Sequence, residues 1–276
     1  MRDFVGTPRL LRWVTRVTRR RWLRRTPAAW RLLLGVLLVA GVALAINGVY
    51  QVARKPTELF FPVSGVLAKA PQETWREYGP AFRRYATPAI APELLAALAQ
   101  VEGSGNPLVR TYWRWSWAPK PFELYRPASS AVGMYQITDG TFAEARHYCI
   151  HHHALVHEGP WNDPHSCWFN SLYLRVVPRD AIELTAAYLD LKVNAILAHD
   201  RRRAASALQR QHLAAVVHLC GAGAAAAYAQ RGFRFADAGR CGAHDPREYL
   251  RRVDEMHGVF ARLARTEGED AGGALQ

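Results

Sequence analysis

The sequence is short of acid. It sets 23 Asp and Glu against 36 Lys and Arg in 276 residues, a formal net charge of +13. It also lacks an internal repeat and any sustained alternation of apolar and polar residues, which argues against a solenoid and against an all-β sandwich or barrel. Cysteine is scarce, at four residues, and no HExxH motif is present to suggest a zincin-type metal site. Apolar residues are not scarce. Half of the chain is hydrophobic and 11% is aromatic, too much for a disordered polymer. The length allows one domain with appendages and a sizeable core.

An excess of +13 first suggests a nucleic-acid partner, but that reading needs the charge on the folded domain. Most of it lies elsewhere. Residues 1–31 hold ten arginines and a single acid, Asp3, for a net +9, and the other 245 residues share the remaining +4. Nucleic acid is therefore set aside as a partner. From Leu32 to Ala53 there follow 22 residues without charge, and at ~1.5 Å per residue they reach roughly 33 Å, the thickness of a bilayer core. The arginines before this run outnumber Arg54 and Lys55 after it, so the N-terminus is expected on the cytoplasmic side, with inner-membrane lipid as a partner. Within residues 10–23, Leu10, Trp13, Val14, Val17 and Trp22 offer one apolar face. An interfacial helix on anionic lipid and a disordered basic tail both remain open there.

A cleaved leader competes with a retained anchor. Ala43-Leu44-Ala45 looks like a small-residue cleavage site, and Thr18–Arg24 resembles a twin-arginine export signal. The apolar run continues well past Ala45, which favours retention. Either way the rest of the chain is exported, and the expected placement is a single-pass inner-membrane protein with a periplasmic domain. In an exported domain the even set Cys149, Cys167, Cys220 and Cys241 suggests disulfides. Three pairings are possible. Pairing neighbours closes the shortest loops, and the sequence does not choose.

The expected organisation is a basic tail (1–31), an anchor (32–53), a linker and approach segment (54–85), a mainly α domain (86–265) and a disordered acidic, Gly-rich tail (266–276). Pro56, Pro62, Pro71 and Pro80 argue against a long helix in the linker. Pro92 opens a helix in which Leu94, Leu95, Leu98 and Val101 share one face, and Gly103, Gly105 and Pro107 end it. Further helices are expected from Thr141, over 179–200, over the Ala-rich stretch 208–230 and over 246–265.

Glu102 ends the first of these helices. In that position alone a glutamate is ordinarily a solvated helix-end residue, mildly disfavoured by the helix dipole. Its neighbourhood changes the reading. The segment Gln100-Val-Glu-Gly-Ser-Gly-Asn-Pro107 is similar to the Glu-Ser-x-x-Asn-Pro segment of lytic transglycosylases with the soluble-lytic-transglycosylase (SLT) domain, relatives of goose-type lysozyme. Ser130-Ala-Val-Gly-Met-Tyr-Gln-Ile137 resembles their Gly-Ala-x-Gly-Leu-Met-Gln-Ile block. Leu213–Gly223 lies where they carry Ala-Tyr-Asn-Ala-Gly-Pro-Gly. The three blocks occur in the family's order within residues 88–262. There are departures: Gly103 stands for Ser, Met134-Tyr135 for Leu-Met, and His218-Leu219 for Tyr-Asn. Glu102 and Gly133 are also 31 positions apart, longer than usual, because of the aromatic stretch from Thr111 to Phe122.

The resemblance implies a lysozyme-like helical domain that cleaves the MurNAc–GlcNAc β-1,4 bond of peptidoglycan glycan strands with Glu102 as general acid and base, leaving 1,6-anhydromuramyl ends. A buried carboxylic acid can give the proton the leaving oxygen needs. No acid lies between Glu102 and Glu123, Glu123 and Asp139 sit in unrelated contexts, and the chemistry asks for no second carboxylate, metal or cofactor. The resemblance further implies that Gln136 binds sugar through its amide, that the backbones of Met134 and Tyr135 do the same, and that Gly133 makes the turn that lets them approach. A hydrolytic muramidase and a catalytically weak glycan-binding scaffold of an envelope-spanning apparatus are the alternatives, and cell-wall or secretion machinery is the corresponding partner class.

Trp113, Trp115 and Trp117 would point to one side of an extended segment. They could line a sugar groove, pack the loop onto the domain, or touch the bilayer interface. His147, His151, His152, His153, His157 and His165 gather around two cysteines with some i, i+4 spacings that can hold zinc, though a polar surface patch is the simpler reading. His218 either lines the cleft or is a satisfied core histidine.

Overall fold

A computed structural model describes residues 27–60, 64–116, 122–163, 165–199, 205–236 and 239–273. The chain is mainly helical. It divides into two units, one of Met1–Arg54 with Trp113–Arg126, the other of Lys55–Tyr112 with Pro127–Gln276. The expectations for residues 1–26 (the arginine-rich tail, its amphipathic face and the twin-arginine resemblance) lie outside the described residues, as does Trp117.

In the first unit helix α1 (Ala28–Arg54) is long and apolar enough to cross a membrane. Every described residue from Pro27 to Ile46 is exposed. Strands β1 (Trp113–Trp115) and β2 (Tyr125–Pro127) form a two-stranded sheet.

The second unit is built around helix α3 (Pro92–Gly103), whose residues from Leu94 to Ala99 are all buried. Pro92 starts α3 at a position where its missing N–H costs nothing, and Glu93 complements the dipole. Around α3 pack α2 (Pro71–Tyr85), α5 (Pro178–His199) and α7 (Pro246–Gly273). The helix α6 (Ala207–Gln230) packs on α5 and α7, and the short α4 (Asp139–Ala145) packs on α5. One hydrophobic core joins them, with Phe82, Leu95, Leu98, Ile182, Leu189, Val216 and Phe260 almost fully buried. Truncating any of the leucines to Ala removes both transfer energy and packing, at about 2–5 kcal/mol each.

Helix α2 corrects the expected linker. Pro71 sits in its first turn, where proline is tolerated, and Pro80 lies inside the helix without ending it. Burial compensates: Trp75, Tyr78, Phe82 and Tyr85 all enter the core. The preceding segment is tied down as well. Lys55 Nζ donates to the Ala131 carbonyl at 2.9 Å and pairs with Glu58 at 3.2 Å, and Glu58 also faces Arg110 at 3.3 Å.

The C-terminal tail is a second correction. Helix α7 runs on to Gly273 instead of ending near residue 265. Glu267 explains this. Its carboxylate accepts from Trp75 Nε1 at 2.9 Å and from both Arg83 guanidinium nitrogens at 2.9 and 3.2 Å. Arg83 first, and then the Trp75 hydrogen bond, hold the Glu267 carboxyl below the usual range. A depressed folded-state pKa stabilises above the unfolded value, about 4.3, and that contribution is lost as pH falls through the folded value. Hydrogen exchange over residues 265–273 should therefore lose protection between pH 6 and pH 3. Unchanged protection factors would mean that this contact does not hold the helix end.

The histidine region is extended. Tyr148–His151 (β3) and Ala154–His157 (β4) form an antiparallel hairpin. The i, i+4 histidine spacings therefore do not share a helical face. His147 pairs with Glu158 at 2.7 Å, and His153 Nδ1 lies 2.9 Å from the Ala86 carbonyl. Cys149 and His151 come close to Cys167, but both cysteines are joined in a disulfide.

The disulfides pair neighbours, Cys149–Cys167 and Cys220–Cys241, with sequence separations of 18 and 21. Closing loops of that size in the unfolded chain is worth about 3 kcal/mol each in the chain-entropy model. Cys220 stands immediately before Gly221, whose backbone (φ 79°, ψ 167°) interrupts α6. Replacing Cys220 and Cys241 together by Ser should lower Tm by about 6–12 °C in a thermal melt. A melt that does not move would show that other contacts hold this corner.

Candidate functional site

Glu102 reaches its position through the end of α3. Ser104 and Gly105 turn the chain with positive φ (50° and 64°), and their N–H groups donate to the carbonyls of Gln100 at 2.9 Å and Ala99 at 3.1 Å. This left-handed stop satisfies the carbonyls of Ala99 and Gln100 and ends the helix at Gly103. Gly105 must be glycine for a second reason, since a Cβ there would fall 2.2 Å from Thr74 Oγ1. Thr74 in turn donates to Gln100 Oε1 at 2.8 Å, and Gln100 Nε2 donates to the Lys69 carbonyl at 2.9 Å. The segment expected to be a linker thus braces the helix that carries the glutamate.

The carboxylate itself is mostly enclosed. Its side chain is 18% exposed, and Oε1 accepts a 2.6 Å hydrogen bond from the Tyr249 hydroxyl on α7. Burial, and next the adjacent carboxylate, push the Tyr249 phenol well above its usual range, so it remains a donor. His218 Nε2 stands 3.7 Å from the same oxygen, close enough for charge interaction but beyond hydrogen-bond length. The edge of its ring meets Tyr135, whose centroid lies 6.5 Å away. With Oε1 occupied, Oε2 has no hydrogen-bond partner among the described residues. Glu102 lines a cleft of about 390 Å³, together with Gly65, Ser104, Asn106, Val109 and Arg110 among others. Glu102 is the sole carboxylate among the described lining residues.

The second block meets the first through glycine. A Cβ on Gly103 would lie 2.9 Å from both the Cα and the carbonyl oxygen of Met134. That contact explains the glycine where the resemblance has serine. Gly133 has φ +78°, and a Cβ there would meet the Arg175 carbonyl at 2.3 Å. Its freedom is therefore used against protein backbone in the structure, whereas the sequence reading assigned it to ligand approach. Arg175 clamps the same turn, donating to the carbonyls of Ser130 at 3.0 Å and Ile137 at 2.8 Å and pairing with Asp139 at 2.8 Å. The side chains of Met134 and Tyr135 are fully buried, and the Tyr135 hydroxyl donates to the Leu95 carbonyl at 3.0 Å. Gln136, in left-handed backbone (φ 49°), donates through Nε2 to the carbonyls of Gly133 at 2.9 Å and Val109 at 3.2 Å. Its amide nitrogen thus holds Val109, a residue of the cleft wall.

All three sequence blocks therefore converge on Glu102. His218 lies beside the glutamate, Met134 packs against the neighbouring Gly103, Gly133 donates to the Val109 carbonyl of the cleft wall at 3.1 Å, and Gln136 braces the same wall. Trp113 and Trp115 are grouped instead with α1, as are the paired acids and bases Glu123, Arg54 and Arg126. Tyr249 is the residue that sequence reasoning missed. It shares a helical face with Val253 and Phe260, so it has the pattern of an ordinary core position. No protein-family model matches the chain, and no curated protein matches it.

Proposed function

We propose that the chain is a membrane-anchored lytic transglycosylase whose helices α2–α7 form a lysozyme-like domain on the periplasmic side of the inner membrane. The observation that carries the reading is the single carboxylate Glu102. It sits at the end of a buried helix, has one oxygen pinned by Tyr249, and lines a cleft. A pinned carboxyl presents one defined oxygen to a ligand, which is what a proton donor requires.

In the proposed reaction Glu102 gives its proton to the glycosidic oxygen between MurNAc and GlcNAc. The C1–O bond breaks with oxocarbenium character at C1. The carboxylate then takes the proton of the C6 hydroxyl of the same MurNAc as that oxygen bonds to C1. The product is a 1,6-anhydro ring, no water is consumed, and Glu102 ends protonated as it began. His218, 3.7 Å away, faces the carboxylate through both steps. Met134 and Gln136 act by shaping the cleft wall.

A glycan-binding domain without turnover is the second reading. It is favoured by the departures from the family's segments at Gly103 and at His218-Leu219. Mass analysis of what the full chain releases from purified sacculi separates the possibilities. Anhydro-ended muropeptides support transglycosylation, reducing MurNAc ends indicate hydrolysis, and binding without release indicates a scaffold.

A further inference from the structure

Helix α1 carries two strongly polar residues in its apolar run, Asn47 and Gln51, and they are the buried residues of the helix. With Arg54 they fall at i, i+4 and i+7, on one face. All three are used by the hairpin of β1 and β2. Asn47 Nδ2 donates to the Tyr125 carbonyl at 2.6 Å, Gln51 Nε2 donates to the Phe122 carbonyl at 2.8 Å, and Arg54 pairs with Glu123 at 3.0 Å. Tyr50 meets Phe122 at 5.7 Å between ring centroids. The hairpin is thus fastened to the last two turns of the apolar helix.

Its remaining aromatic surface faces outward. Trp115 is 60% exposed and stacks on Tyr125 at 4.9 Å, with Trp113 against the same ring at 5.2 Å. Phe122 and Leu124 are also exposed. Trp30 is exposed near the opposite end of α1. The 20 residue steps from Trp30 to Tyr50 rise about 30 Å, the hydrocarbon thickness of a bilayer. Aromatic side chains bracketing such a span mark the two lipid–water boundaries, and charged groups such as Arg54, Glu123 and Arg126 suit the headgroup level.

We infer that the hairpin is a lipid-interface platform: Trp115, Phe122 and Leu124 insert at the headgroup–acyl boundary of the leaflet where α1 ends, and Asn47 and Gln51 hold the platform to the anchor. This assigns the tryptophans to lipid. It rests on α1 being a retained span and not on the transglycosylase chemistry.

The test uses the full chain in phosphatidylcholine–phosphatidylglycerol vesicles. Among the described residues no cysteine is free, so a single introduced thiol can carry a bimane label at Trp115→Cys, at Val39→Cys within the span, or at Leu208→Cys on the other unit. Doxyl lipids with shallow and deep spin labels then report depth. The Trp115 probe is expected about 5–10 Å into the headgroup–acyl boundary, quenched more by shallow than by deep doxyl. The Val39 probe should show the reverse, and the Leu208 probe should respond mainly to aqueous iodide. Replacing Asn47 and Gln51 by Leu should abolish the shallow quenching at Trp115 while leaving the Val39 signal unchanged. A Trp115 probe quenched by iodide alone beside a lipid-quenched Val39 overturns the platform and leaves the span intact. Protection of the Trp115 probe by added glycan oligomers without lipid quenching also overturns it, in favour of a sugar surface. Absence of lipid quenching at Val39 overturns the anchor and the platform together.

Discussion

Glu102→Gln is expected to leave sacculi undigested. Glutamine keeps Oε1 as an acceptor for the Tyr249 hydroxyl, so the helix end and its packing on α7 should survive. What it removes is the transferable proton at the other oxygen. General acid–base catalysis by one positioned group is worth about 10²–10⁴-fold. In the proposed reaction one group serves both steps, so the loss should lie at the upper end, and release of anhydromuropeptides should fall by about 10³-fold or more. Two measurements on the same sample decide it: the rate of muropeptide release by mass analysis, and a thermal melt. Lost activity with Tm within about 2 °C of wild type supports the proton-transfer role, given that surface-like changes stay near ±0.5 kcal/mol. Retained activity would remove Glu102 from the chemistry altogether.

Gly133→Ala is expected to cost much of the domain's stability. The new methyl would sit 2.3 Å from the Arg175 carbonyl oxygen at a backbone φ of +78°. Left-handed backbone in a residue with a side chain costs about 1–3 kcal/mol, and relieving the collision requires moving main chain on one side or the other. Together about 3 kcal/mol or more should be lost, a fall in Tm of about 6–12 °C. Gly140→Ala is the matched control. It lies in the first turn of α4 with nothing near its would-be Cβ, and it should be neutral or slightly stabilising. Equal melts for the two variants would mean that the Arg175 contact yields easily.

How much of this the sequence disclosed follows from how local each cause is. The limits of α3, α5 and the start of α7 were legible because apolar spacing, Pro at the first turn and Gly at the stop are all local signals. Convergence of the three blocks on Glu102 was legible only through their order along the chain. Helix α2 was not legible, since the prolines at 71 and 80 argue against it locally and what sustains it is distant burial of Trp75 and Phe82. The extension of α7 depends on Glu267 meeting Arg83 and Trp75, nearly two hundred residues away in sequence. Tyr249 was hidden for the opposite reason: its position fits a core pattern, and only the hydroxyl at its tip distinguishes it. The contact of Gly133 with the Arg175 carbonyl was hidden because a glycine turn looks the same in sequence whether it makes room for a ligand or for protein backbone.

The contact between Gly103 and Met134 bears on how this site can change by mutation. With 2.9 Å between a would-be Cβ and the Met134 backbone, serine cannot enter at 103 unless the 133–136 turn retreats first. That turn is fastened by Arg175 and by the Gln136 amide. Substitutions at 103 and around 134 are therefore coupled, and their order matters. A library that introduces serine at 103 alone should return mostly unfolded clones, whereas one that varies 103 together with 133–136 and 175 has a route through folded intermediates.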